Sequence, residues 1–237
     1  MIGIIGAMRI EVETIRSWME QTQNETIGGM EFVSGLLHGK PVVTAVCGIG
    51  KVSAAMCAQT MILRYAPDCI INTGVGGSMH ADLRIGDLAV AEQLVQHDMD
   101  TTPLGDPPGY LSGPDCVYLP TDPAVTAALE KAAASVGEAR CLRGTIASGD
   151  QFIADPAKKQ WITQTFERVI ACEMEGASIA QVCVCNGVPF SVVRAASDCA
   201  DGSGHMDYAE FLPVAADRAA RMIDAFVKSY ESKGESL

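Results

Sequence analysis

The chain has 237 residues, 48% of them hydrophobic, with a net charge of −12 and a pI near 4.7. That size and apolar content suffice for one α/β domain with a sizeable core, and no linker-like tract divides it. The acidity, with no cluster of Lys and Arg, excludes nucleic acid as a partner, because such binding draws its affinity from clustered cations.

Met1 to Gly6 is a short apolar run ended by glycine, and Val12, Ile15 and Met19 follow at helical spacing. The chain therefore opens with a strand, a tight turn and a helix. Arg9, Glu11 and Glu13 interrupt any signal-peptide core there, and no later apolar run is long enough to span a bilayer. The glycines of Gly3-Ile4-Ile5-Gly6-Ala7-Met8 lack the spacing of a dinucleotide fingerprint. Glu11 falls in the helix's first turn, near the same sheet edge as Asp198 if the first strand is central.

Residues 31–37 and 41–47 are apolar segments separated by His38-Gly39-Lys40, a hairpin spacing. Gly48 to Ser53 reads as a glycine-rich entry to a helix through Leu63. Ala45 and Val52 deny it the glycine and hydroxyl of a phosphate-binding loop. Cys69 to Thr73 is a buried strand running into Gly74-Val75-Gly76-Gly77-Ser78. Such a loop either lets backbone approach a ligand or serves turn geometry alone.

Asp87 to Val95 is the next strand. His97, Asp98 and Asp100 at its exit invite a metal ion, but no further ligand follows at useful spacing. Residues 103–120, rich in proline and glycine, predict a long surface loop of the kind that forms a lid or contact. Pro123 to Val136 returns to helix and Arg140 to Ser148 to strand. Gly149 to Ile153 forms a turn in which Phe152 could simply plug the core. Asp155-Pro156 starts a helix as an acidic cap with proline at the first helical position. Cys183-Val184-Cys185 lacks the spacer of a structural zinc site. The nine cysteines, several of them in apolar runs, read as reduced thiols, so no metal is expected and the expected setting is the cytoplasm. Pro189 to Ala196 is the last strand. Asp207 and Glu210 form a cap-like pair before a long amphipathic helix that Pro213 would bend or restart.

The stretch that organises these elements is Val169 to Gly176. Val169 to Cys172 reads as a fully buried strand, and Ile179, Val182 and Cys183 continue at helical spacing, so Glu173 and Glu175 sit at a strand's carboxyl end. Ligands of open α/β sheets bind beyond such ends. Acidic residues are also favoured at helix starts, so Glu175 alone does not decide between the two readings. A second strand ending in Arg194-Ala195-Ala196-Ser197-Asp198 tips the balance toward function, since two neighbouring strand ends then carry acids.

Taken in order, six segments resemble the 5'-methylthioadenosine/S-adenosylhomocysteine nucleosidases, within the nucleoside phosphorylase superfamily. They are Gly3 to Met8 with Glu11, Gly48 to Val52, Asn72-Thr73-Gly74, Ser148-Gly149-Asp150 with Phe152-Ile153, Glu173-Met174-Glu175, and Arg194 with Ser197-Asp198. The resemblance runs nearly end to end. It implies a single-domain three-layer α/β/α fold with a central mixed sheet, a homodimer, and hydrolysis of the bond between adenine and a 5'-thio-substituted ribose without a cofactor. By the same resemblance Asp198 protonates the purine, Glu11 activates water, and Glu175 holds the ribose hydroxyls. Met174 would pack on the sugar and Phe152 and Ile153 on or near the base. Arg194 and Ser197 would support the acids, with Glu173 beside them, and the Val75-Gly76 loop would contact water and ribose. Leu104 would help close the partner's 5' pocket. Arg9 and Ile10 depart from the family's usual acidic residues, Val75 from a small hydroxyl residue, and Gly76-Gly77-Ser78 from an alanine and two glycines. The loop over residues 103–113 matches poorly.

The chemistry asks for such residues independently. Adenine leaves poorly as an anion, so an acid near N7 lets it depart neutral while the ribose becomes oxocarbenium-like. Water attacking the opposite face calls for a second carboxylate, and paired ribose hydroxyls suit a bidentate acceptor. Three rivals compete with this reading. A phosphorylase would need an anion site, for which Arg9, Arg84 and the Gly74 to Gly77 loop are available, although Glu11 would repel phosphate. A hydrolase of a futalosine-type nucleoside and a non-catalytic nucleoside-binding protein are the others.

Overall fold

A computed structural model describes residues 1–137, 139–198 and 204–231, with 204–209 described by their backbone alone. Its first half holds β1 (Ile2–Gly6), α1 (Arg9–Ser17), β2 (Glu20–Ile27), β3 (Met30–Leu37), β4 (Lys40–Val46), α2 (Lys51–Tyr65), β5 (Cys69–Asn72), β6 (Val75–Ser78) and β7 (Leu88–Gln96). The second half holds β8 (Leu119–Pro120), α3 (Pro123–Val136), β9 (Cys141–Ser148), α4 (Pro156–Thr165), β10 (Val169–Glu173), α5 (Gly176–Asn186), β11 (Phe190–Asp198) and α6 (Gly204–Ser229).

All the strands join one mixed sheet in the order β2-β3-β4-β1-β5-β11-β6-β10-β9-β7-β8. Period-two alternation sorts side chains to its two faces. On β1, Ile5 packs with Ala54 and Met61 of α2 and Ile179 of α5, whereas Ile2 and Ile4 pack with Ile15 of α1, Leu129 of α3 and Phe226 of α6. The result is the three-layer α/β/α arrangement. Asp155 caps α4 as its sequence predicts, accepting from the Ala157 N–H at 2.9 Å.

Four expectations need correction. β2 is absent from the sequence reading because its residues are polar on both faces; it is an edge strand whose one strand partner among the described residues is β3. The glycine-rich segment after β5 is not a loop but the strand β6, parallel to β11 and antiparallel to β10. It follows that the strand ends carrying Glu173 and Asp198 are not neighbours, since β6 runs between them. α6 is described from Gly204, so the backbone of Asp207 and Glu210 lies within the helix rather than before it, and Pro213 lies inside it as well.

Candidate active site

Beyond the carboxyl ends of β1, β10 and β11 lies a cavity of about 280 Å³, near the small end for a small-molecule site. Its lining brings together Glu11, Glu173, Glu175 and Asp198. Each comes from a different local device.

Glu11 stands in the first turn of α1 and is buried, only 3% exposed. Its Oε2 accepts the N–H groups of Ala7 at 2.7 Å and Met8 at 2.9 Å, and its Oε1 accepts that of Val75 at 3.1 Å. Burial nonetheless dominates and raises its pKa, with Arg194 and the three amides opposing. Gly74 makes this fit possible. A Cβ there would stand 2.8 Å from Glu11 Cδ and nearer still to Oε1.

Glu173 and Glu175 are two residues apart and oppositely treated. Glu173 accepts from the N–H groups of Glu175 at 3.0 Å and Gly176 at 2.8 Å, from Ser148 Oγ, and from the buried guanidinium of Arg194. Burial would raise its pKa, but Arg194 and these donors hold it below the ordinary carboxylate range. Its oxygens are thus engaged with protein groups at the edge of the cavity. Glu175 occupies the position just before α5 and accepts the Gly50 N–H at 2.9 Å, with Arg194 at 3.7 Å. Burial and then the charge of Glu173 push its pKa up to about 7.

Asp198 ends β11 and is 2% exposed; Ser197 Oγ donates to its Oδ1 at 2.9 Å and sits 3.5 Å from the Gly76 carbonyl. Arg194, two turns of the pleat earlier, also donates to Asn72 Oδ1. Met174, Phe152, Ile153, Val75 and Gly76 all line the cavity. Phe152 is not a core plug: it is 49% exposed at the rim. Leu104 is 82% exposed in a one-turn 3-10 helix, Thr102–Leu104, and does not line the cavity within a single chain.

Further contributors escape the sequence reading. Met8 and Ile49 both line the cavity, and the Gly48 to Gly50 segment, read only as a helix entry, supplies the amide that holds Glu175. The available signal was Gly50 itself, whose φ of +98 marks a backbone position reserved for glycine.

A family model described as the phosphorylase superfamily matches residues 1–228. The chain belongs to the phosphorylase superfamily. The 5'-methylthioadenosine/S-adenosylhomocysteine nucleosidase of Shewanella halifaxensis (strain HAW-EB4) is 42% identical over 227 residues, covering 96% of this chain and 98% of that protein. The enzyme of the same name from Shewanella sediminis (strain HAW-EB3) is 43% identical over 227 residues, with the same coverage. Among solved structures, the nucleosidase of Neisseria meningitidis in complex with methylthio-immucillin-A has a TM-score of 0.94 and 36% identity, covering 97% of this chain and 99% of that one. A futalosine hydrolase of Helicobacter pylori strain 26695 has a TM-score of 0.91 and 35% identity, with 97% of each chain covered.

Membership in this superfamily leaves phosphorolysis and hydrolysis both open, and the lining bears on the choice. Among the described residues the cavity is lined by no Lys, Arg or His. Arg9 points instead to Glu31 at 2.8 Å and Glu13 at 3.4 Å on the surface, and Arg84 borders a different cavity. No group of three or more His, Cys, Asp and Glu side chains among the described residues is arranged to hold a metal ion. Nor is any described helix long and apolar enough to cross a membrane.

Proposed function

We propose that this chain hydrolyses the N-glycosidic bond of 5'-methylthioadenosine and S-adenosylhomocysteine, releasing adenine and the 5-thio-ribose. The observation that carries the choice of water over phosphate is the lining itself, four carboxylates and, among the described residues, no cation. Phosphate entering that cavity would meet four acidic side chains, with Arg194 behind them already paired to Glu173, whereas water is neutral and needs a base.

The roles follow from position. Asp198 delivers a proton to the departing adenine, with Ser197 orienting its carboxyl. Glu11, fixed by three amides and raised in pKa by burial, takes the proton of the attacking water. Glu175 accepts the ribose hydroxyls and, as a carboxylate, opposes the positive charge that develops on the sugar. Glu173, with its oxygens already occupied, acts with Arg194 as the frame that orients Glu175. Met174 and Met8 pack on the sugar, and Phe152 and Ile153 on the base.

The same reading takes the chain as a single domain, working as a cytoplasmic homodimer. Val52, Met56 and Leu63 form an outward apolar row on α2, 71%, 51% and 78% exposed, next to Ile49 at the cavity rim. A second copy covering that row would also bring Leu104 toward the open 5' side. The similarity to the Helicobacter pylori futalosine hydrolase supports a second substrate, a nucleoside with a bulkier 5' group in the same cavity.

Adenine release from methylthioadenosine, S-adenosylhomocysteine and a futalosine-type nucleoside, compared by kcat/KM, tests the assignment. The two thio-nucleosides should be the better substrates. A preference for the futalosine-type compound would move the assignment to the second reading, and no base release from any would leave a binding protein.

A further inference from the structure

The entry to α2 contributes no carboxylate, yet one of its amides holds one. Gly50 has φ +98, and a Cβ there would stand 3.0 Å from Asp150 Oδ1, so the direction of its N–H depends on how this turn is pinned. Lys51 does the pinning. Its N–H donates to Asp150 Oδ1 at 2.8 Å, while its ammonium donates to Asp98 Oδ1 at 2.7 Å and Gln96 Oε1 at 3.2 Å. Asp98 closes the ring by accepting the Asp150 N–H at 2.8 Å, and Gln96 donates onward to Gln181 of α5 at 2.7 Å.

Exposed ion pairs contribute little, but here the side chains are only 20% and 13% exposed. Burial pulls the Asp98 pKa up, and the Lys51 ammonium and Asp150 amide outweigh it, leaving the group below its ordinary value. The main-chain N–H of Lys51 and the Asp98 carboxylate thus hold Asp150 at the exit of β9, while the ammonium of the same residue ties the exit of β7 to the start of α2. From there the Gly50 amide reaches Glu175, and residues 151–153, which line the cavity, follow directly after Asp150.

We propose that Lys51 is a positioning residue: its ammonium fixes Asp98, which in turn holds the Asp150 N–H, and so keeps the Gly50 amide on the Glu175 carboxylate and the 151–153 turn over the cavity. The functional part of this rests on the assignment of Glu175 to the ribose hydroxyls. The charged groups facing Glu175 are Glu173 from β10, Glu11 from α1 and Arg194 from β11. Arg194 and the Gly50 amide favour its ionised form, so loosening that amide must raise the pH at which Glu175 ionises.

The experiment follows the side-chain carboxyl carbon of Glu175 by 13C NMR through a pH titration of the full-length protein, in wild type and Lys51→Met. Weakening this hydrogen bond to the carboxylate should move the midpoint up by about 0.5 to 1 pH unit, part of the roughly 1 to 2 units that its full loss would give. The acid limb of kcat/KM for adenine release from methylthioadenosine should move with it. Lys51→Arg, which keeps a cation for Asp98, should restore both. Should Lys51→Met not fold, Asp98→Asn, which weakens the clamp from the other side, must give the same upward shift. An unmoved Glu175 midpoint in a folded clamp variant would overturn the proposal and leave Lys51 a structural residue that alters only the melting temperature. If wild type releases no adenine while the midpoint still shifts, the clamp stands and the functional assignment falls.

Discussion

On the floor of the cavity the charged groups are tied into the chain's own framework: Glu173 to Arg194, Ser148 and two amides, Glu11 to three amides, Glu175 to Gly50. On its rim, Phe152 and Ile49 are 49% and 58% exposed, and Leu104, in the surface turn Thr102–Leu104, is 82% exposed. The difference follows from what each kind of group can tolerate. A buried charge without partners costs several kcal/mol and must be satisfied as the chain folds, whereas apolar surface can stay wet until something covers it. On the proposed reading, the chemistry is built into one chain and a second copy completes the fit to the 5' substituent.

The sharpest way to break the floor is Asp198→Asn, which keeps shape and hydrogen bonding but delivers no proton. Turnover should fall by about 10² or more, while a nucleoside analogue still binds in calorimetry. Retention of most of the turnover would remove Asp198 from the acid role. Gly74→Ala attacks the floor sterically, driving a methyl into the Glu11 carboxylate. Turnover should drop by about tenfold to a hundredfold, and the test is whether Gly74→Ser, with the same Cβ, drops as far.

Glu175→Gln separates stability from activity. The folded pKa of Glu175 lies above its unfolded value, so its contribution to stability is complete below about pH 4.5 and is lost as pH rises through about 7. Glutamine never takes on that charge. The variant should accordingly be more stable than wild type at pH 8, by about 1 to 3 kcal/mol, with the gain shrinking toward pH 5 and turnover lost throughout. Equal melting temperatures at both pH values would mean that Glu175 is not held under this penalty.

The rim is tested by Val52→Asp, which places a charge in the apolar row of α2. Specific activity at low protein concentration should fall by roughly tenfold, with a shift to monomer in sedimentation, because the closed state depends on protomer concentration. Full activity in a proven monomer would contradict the closure of the rim by a second copy. The smallest effect belongs to Val75→Ser. The contact that matters is the main-chain N–H to Glu11, so kcat/KM should change by no more than about threefold.

The legibility of the molecule divides along the same line. The core strands were readable because their burial is written in sequence as continuous apolar runs, as in Val169 to Cys172, and their ends then located Glu173, Glu175 and Asp198. β2 was not, since a strand exposed on both faces carries no apolar period. β6 was hidden for the opposite reason: a Cβ on Gly76 would stand 2.9 Å from the Cys172 carbonyl, so a strand squeezed between β10 and β11 is written in residues that otherwise signal a turn. The partnership of Gly50 with Glu175 spans 125 positions and involves a main-chain amide, a group every residue but proline possesses. Side-chain chemistry could be foreseen; the backbone that aims it could not.

The central claim is that a cavity lined by four acidic side chains, with its one nearby guanidinium already committed to Glu173, uses water. Methylthioadenosine should be consumed at the same rate in phosphate-free buffer and in phosphate, with adenine and the free 5-thio-sugar formed in equal amounts. A sugar 1-phosphate, or consumption that stops when phosphate is removed, would contradict it.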